Sequence, residues 1–496
     1  MRISGLASGM DTDEIIKKLM SAHRIPIDKL SQKKQLVEWK RDDYRTLNSK
    51  ILEFRNAAFD MKLQSSYLTK KVTTSPEGIV SVTASAVTNE GQYTIKINEL
   101  AKAPSFNSGE LLTTNSGSDT IGDLGLSADT TLEIIGVKGS ATIDVTTGQT
   151  INEFVQAIND ESALTGVKAS YDSTMDRIFF NSSVTGESSS ITLNLAGADD
   201  LNDILNTGTP GVPISVTGAN AEVLFNDIPA EYESNTFKIA DITFTAKEKS
   251  ATVVNINVTQ DVDSTVDTIK NFVAKYNSLI DEVNKELLEK RARSYQPLTN
   301  AQREEMSEDE IKKWEDRARS GMLSNDQLLT SGMTTLRRAL SDAVGGLPAG
   351  QLKTLAEIGI STTNINGSTI SGSYSELGKL YINETKLKAA ITENPDQVMA
   401  LFTTDGATES SDGIATRLYD KASNLFGQIK DKAGVSESLE SNYLLGKESR
   451  RLTDQMSRLT TRLADLENRY YKQFTAMESY INKMNSQSAW LSQQFS

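Results

Sequence analysis

His23 is the one histidine of this 496-residue chain, and cysteine is absent. Imidazole chemistry therefore rests on a single side chain. Thiolate nucleophiles, iron–sulfur clusters, disulfides and cysteine-ligated zinc are excluded outright. A serine nucleophile needs a base within hydrogen-bond reach. His23 instead lies three residues before Pro26, where a helix is expected to end or kink. That setting suits a part-exposed hinge residue. The acidic pairs Asp199/Asp200 and Asp261/Asp263 lack the D-x-[DN]-x-[DN]-G spacing of a calcium loop. The chain also has no phosphate-binding P-loop, no dinucleotide-binding glycine pattern and no G-x-S-x-G elbow. Trp39 and Trp314 sit in charged helical stretches and read as amphipathic contact residues, and 302–319 reads as a solvated charged helix. No catalytic, cofactor-binding or metal-ligating set is expected, and the chain is not expected to be an enzyme.

Charge narrows the partners. With 52 Lys+Arg against 66 Asp+Glu, the chain carries −14, the wrong balance for displacing counterions from nucleic acid. No run of about 18 apolar residues predicts a membrane span. The first twenty residues lack a signal-peptide core, because Asp11, Asp13 and Glu14 interrupt them. The acidity is local: residues 72–265 hold 8 Lys+Arg and 26 Asp+Glu, leaving 44 basic and 40 acidic residues in the two flanks. That middle is rich in Thr, Ser, Gly, Val and Ile, the flanks in Lys, Glu, Leu, Gln and Met, so a β region stands between helical ones.

Within the middle, Val80, Val82 and Ala84 alternate with polar neighbours, as do Tyr93, Ile95 and Ile97, then Ile242 and Phe244, then Val254, Ile256 and Val258. Period two predicts half-buried strands. Residues 150–160 break that period: Ile151, Phe154, Val155 and Ile158 predict one short helix capped by Thr150 or Asn152. A strand pair is expected over 167–171 and 177–181. Gly/Ser/Thr/Pro-rich stretches at 105–125 and 206–218 delimit an inner module, 108–214, inserted into an outer one, 72–107 with 215–263.

The flanking helices carry the sharpest pattern. Tyr44, Leu47, Ile51, Phe54, Ala58 and Met61 step by three and four. Leu452, Met456, Leu459, Leu463, Leu466 and Tyr470 do the same; a further four-residue step reaches Phe474, and Met477, Ile481 and Met484 follow. Both read as a coiled-coil and oligomer seam, with a stutter between Tyr470 and Phe474; a core helix of a globular bundle shares the same spacing. The termini look adhesive. Leu6, Met10, Ile15 and Leu19 at one end, and Trp490, Leu491 and Phe495 at the other, are expected to dock onto a partner.

Several segments resemble one family. ISGLASGMDTDEIIKKLM at 3–20 is similar to the N-terminal signature of the flagellar filament cap, or hook-associated protein 2, family. Residues 71–101 resemble that family's first β segment, three segments within 346–420 its C-terminal half, and QFTAMESYINKMNSQSAWLSQQF at 473–495 its end. Residues 146–193 resemble a helix-and-hairpin motif shared by flagellins and hook-associated proteins. The resemblance implies an α+β multidomain fold: a coiled-coil base (1–41 with 446–496), a helical leg (42–71 with 264–445) and the nested β-rich head modules. It implies no cofactor. It further implies a ring-like homo-oligomer at the distal tip of the filament, outside the cell, reached without a cleaved signal peptide. The partners implied are flagellin, hook-associated axial proteins, the export apparatus and an export chaperone, with neither nucleic acid nor membrane insertion. Two other readings stand beside it: another axial component (flagellin or a junction protein), and an adhesin whose Ser/Thr-rich acidic head touches host glycans or mucin.

Overall fold

A single helix of 51 residues, Thr12–Lys62, begins the structure and spans roughly 75 Å at the α-helical rise. The computed structural model describes residues 11–114, 116–195, 199–205, 212–362 and 378–494. The Asp11 carboxylate caps the helix by accepting from the Glu14 N–H at 2.9 Å, and Asp13 and Glu14 complement the positive end of its dipole. The expected break at Pro26 does not occur; the helix runs through it. Proline removes one hydrogen bond and crowds the Ala22 carbonyl. Ala22 and Pro26 are both exposed, so water can take the freed group while packing on either side holds the helix.

The chain divides into two compact units, Met1–Tyr67 with Val262–Ser496, and Leu68–Asp261. In the first, the upper part of the N-terminal helix packs antiparallel to Val262–Leu288 and Ile414–Ala433, with Gln327–Ser341, Glu384–Glu393 and Pro395–Thr403 completing a bundle. Phe54 lies between Phe272 and Tyr276, ring centroids 5.7 and 5.6 Å away, and Tyr67 stacks on Phe402 at 5.8 Å. Tyr44, Leu47, Ile51, Phe54, Ala58 and Met61 are all at most 1% exposed. They form the core of one chain, so their seam between copies is corrected to a bundle core. The charged stretch 302–319 is likewise two helices, Asn300–Glu304 and Glu308–Arg319. Ser307 and Glu310 close a capping box that starts the second afresh.

The second unit has two hydrophobic cores. One lies between a five-stranded antiparallel sheet (in order Lys70–Ser75, Val254–Gln260, Gly91–Glu99, Ala221–Phe225, Ile228–Tyr232) and a three-stranded one (Thr236–Ile239, Ile242–Ala246, Val80–Ala84). Phe225 meets Phe244 edge-on at 5.8 Å across the gap. The hairpin at Asn226–Asp227 takes positive φ at both residues (47° and 64°), as its two-residue turn requires. The other core is walled by a four-stranded sheet (Ile214–Thr217, Ser190–Asn194, Thr130–Gly136, Gly139–Val145), a three-stranded sheet (Ser105–Asn107, Arg177–Ser182, Val167–Asp172) and the helix Ile151–Asp160. That helix buries Ile151, Phe154 and Ile158 and is capped by a reciprocal Thr150–Glu153 box. Asn159 ties it to the hairpin strand, its amide exchanging two 2.9 Å hydrogen bonds with the Ala169 backbone.

The two chain crossings between these cores are clasped together. The Lys102 N–H donates to the Ala219 carbonyl at 2.8 Å, and the Ala219 N–H returns one to Lys102 at 3.0 Å. The Gly186 N–H also reaches the Lys102 carbonyl, and Gly218 donates to Ser189. A methyl group on Gly218 would overlap the carbonyl oxygens of Gly186 and Lys102, so the close approach depends on its lacking one.

Candidate assembly surface on the paired terminal helices

Below the bundle, the lower half of the N-terminal helix pairs with the C-terminal helix, Leu444–Gln494. The pairing is antiparallel: the His23 and Tyr470 rings lie 6.4 Å apart, while further up the stalk Arg41 reaches Glu440 at 3.8 Å. His23 itself is exposed and acts as part of this contact.

Burial along the pair is graded. Leu452 is 1% exposed and belongs to the bundle core. Met456, Leu459, Leu463, Leu466, Tyr470, Phe474 and Ile481 are half-buried, and the four-residue step at Tyr470–Phe474 falls within an unbroken helix. On the opposite helix Ile16 and Met20 are sealed at 1% and 4%. Ile15 is half-buried and Leu19 is 40% exposed. Met477, Tyr480, Met484, Trp490 and Leu491 are exposed, as is Ile25. Leu6, Met10 and Phe495 lie outside the described residues. Two helices can bury only part of the stripe each turns to the other: Met477 and Met484 continue the spacing of the half-buried Leu459 and Leu466 and stay open to solvent. Introducing glutamate as Leu459→Glu or Leu463→Glu is expected to loosen the pair by roughly 1–3 kcal/mol. Faster amide exchange confined to the two terminal helices would show it, and unchanged exchange would remove these residues from the seam.

A polar knot sets where the pair leaves the bundle. Asp326 caps the helix Gln327–Ser341, accepting from the N–H groups of Leu328 and Leu329. The Tyr44 hydroxyl donates to the same carboxylate, and the Lys432 and Lys40 ammonium groups stand 3.5 and 3.9 Å away. Lys432 also lies over the Tyr44 ring, 4.6 Å from its centroid. Burial pushes the Asp326 carboxyl up; the Tyr44 hydroxyl, Lys432, the Leu329 N–H and Lys40 together outweigh it and hold it below the ordinary aspartate value. A carboxyl more acidic in the folded state stabilises fully above its unfolded pKa and loses that contribution as pH falls through the folded one. Asp326→Ala is therefore expected to cost about 2–4 kcal/mol at neutral pH. The gap to the parent chain should narrow below about pH 4, read from paired denaturant melts. A pH-independent gap would assign Asp326 a packing role only.

The signal for this knot was present in the sequence, since Asp326 directly precedes the helical spacing Leu329, Met333, Leu336. Its lysine and tyrosine partners come from distant segments and left no local trace. Tyr232 and Phe237, aromatic side chains of the β unit, stack on each other at 4.4 Å, and Phe237 is only 6% exposed, so its ring is packed inward and not offered to a glycan. Among the described residues, no helix is long and apolar enough to cross a membrane, and no group of three acidic or histidine side chains is placed to hold a metal ion.

Comparison with known proteins decides the relationship. The family model of the flagellar hook-associated protein 2 C-terminus matches residues 218–486, more than half of the chain, and that of its N-terminus matches 8–104. The chain belongs to the flagellar hook-associated protein 2 family. A flagellin hook IN motif covers 131–184 within the second core, which includes the helix and hairpin tied by Asn159. The flagellar hook-associated protein 2 of Halalkalibacterium halodurans is 30% identical over the full length of both chains. That of Escherichia coli K12 is 27% identical over 99% of this chain and 97% of its own. A crystal structure of the D1–D2–D3 domains of the Escherichia coli flagellar cap protein FliD, 24% identical, shares the fold with a TM-score of 0.56, covering 83% of this chain and 99% of that one.

Proposed function

We propose that this member of the hook-associated protein 2 family caps the distal end of a bacterial flagellar filament. It assembles there with copies of itself into a ring, holds back exported flagellin and promotes its insertion. The observation that carries the reading is the open apolar face of the paired terminal helices (Leu19, Met477, Met484, Trp490 and Leu491), which a filament end lined with similar helices would cover. The relatives' names, which place them at the hook and the cap, support it.

The composition suits that post. A chain that passes unfolded through a narrow channel and then works outside the cell has no cysteine to cross-link on the way. Half-buried helices that tighten on contact bind weakly per residue, which lets a cap step forward as each flagellin adds beneath it. The acidic β unit keeps neighbouring heads from stacking. In this reading the finer partners are flagellin, the other axial proteins, the export apparatus and a chaperone for the exposed C-terminal helix. Electron microscopy of filament tips, from cells with and without the protein, tests the reading. A tip density that depends on the protein is expected, and filaments of normal length with unaltered tips in its absence would overturn it.

A further inference from the structure

The C-terminal helix has a second unpartnered face, and it is basic. Arg451, Arg458, Arg462 and Arg469 recur at intervals of seven, four and seven, which places them within about 40° of one another around the helix. That stripe lies roughly 100° from the apolar one. All four are exposed. Arg451 stands 3.8 Å from Glu448 of its own helix, and Arg458 donates to the Asp454 carbonyl at 3.4 Å. Arg462 and Arg469 form no ion pair among the described residues.

An arm of the same unit, neutral over its whole length but acidic at its tip, is anchored at the same height. The segment 289–321 leaves the bundle and returns, closed by Arg291, which donates to the carbonyls of Ala318 and Ser320. Trp314 donates its indole N–H to the Gln296 carbonyl at 2.7 Å and packs on Tyr295. Gln32 holds the arm to the N-terminal helix through the Pro297 carbonyl at 2.7 Å, and Arg319 pairs with Asp43. At its tip Glu304, Glu305, Glu308 and Asp309 are exposed and form no ion pair among the described residues. Arg303 there is taken by Glu315, Glu310 serves the capping box, and Lys312 and Lys313 stand one turn behind, leaving the tip net negative. Counting from the His23–Tyr470 contact at equal rise, Gln32 lies opposite about Thr461, between Arg458 and Arg462.

We propose that the arginine face of one copy receives the acidic tip of this arm from the next copy in the ring, fixing the spacing between stalks. The inference rests on the ring reading above. Rotation about an axis along the stalks preserves height, so structures level with each other on one copy are also level across neighbouring copies. Complementary charge then sets the register.

The test is sedimentation velocity of the full chain at about 50 mM and about 500 mM salt. Arg458→Glu/Arg462→Glu and Glu304→Arg/Glu305→Arg are each expected to lower the association constant about tenfold at low salt. The chain carrying all four changes should recover most of that loss, and thermal melting should show each variant folded. A second measurement uses the cysteine-free background: Glu305→Cys in one tagged chain and Arg462→Cys in another should form a disulfide between copies on mild oxidation. Reversed chains that assemble like the parent, or a four-fold variant that recovers nothing, overturn the contact alone. A parent chain that stays monomeric at every concentration overturns the ring and the contact together.

Discussion

A chain ending at Lys472 is expected to keep both folded units and to lose its grip on the filament end. None of the described residues from 473 onward belongs to the bundle core, which among them reaches only as far as Leu452 along the C-terminal helix. What the truncation removes is Phe474, Met477, Ile481, Met484, Trp490 and Leu491, all of them exposed or half-buried. If docking covers four such side chains at about 1 kcal/mol each, the loss approaches a thousandfold in affinity. Cells carrying only the shortened chain should release flagellin into the medium and stop building filaments, while the purified protein melts as before. Normal filaments from the shortened chain would sink the proposal that the paired terminal helices form the docking surface.

Phe54→Ala is expected to have the largest effect on stability. Phe54 is fully buried, and its ring contacts Phe272 and Tyr276, which themselves touch the other helices of the bundle. Emptying that site should cost about 3–5 kcal/mol. In calorimetry the transition of the helical unit should fall by on the order of 10 °C, while that of the β unit stays in place. The split is the informative part. A β-unit transition that moves equally would mean that the two units unfold together, and a shift of a degree or two would mean that the site collapses around the cavity.

Much of the β unit was legible from the sequence because its signals are local. Residues 150–160 announced a helix by a change of period and by Thr150 at the cap, and Asn159 only adds the tie to Ala169. The terminal helices were legible as helices and less so as surfaces. Steps of three and four are common to a two-stranded coil and to a bundle. Tyr44, Leu47 and Phe54 therefore carried no mark telling that their neighbours would be residues more than two hundred positions away. At Pro26 a sound local rule was outweighed by packing along both sides of a very long helix. Ile16 and Met20 are the sealed positions while Leu19 stays 40% exposed, and which side of the helix turns inward depends on where the opposite helix lies. The hairpin at Ala240–Asp241 has positive φ at both residues, and alanine gives no sequence warning of that turn.

The clasp between Lys102 and Ala219 has a practical consequence. Two residues that exchange both backbone hydrogen bonds stand about 5.5 Å apart at Cα, so everything between them can be regarded as a cassette with adjoining ends. A short turn should close the gap if the cassette is cut out, and a foreign domain whose termini lie close together should fit in its place. The outer sheet draws its strands from both sides of the insertion, Gly91–Glu99 before it and Ala221–Phe225 after it, and pairs them directly. It thus remains a complete scaffold for display, on which a lineage, or an engineer, can exchange what the head presents to its surroundings.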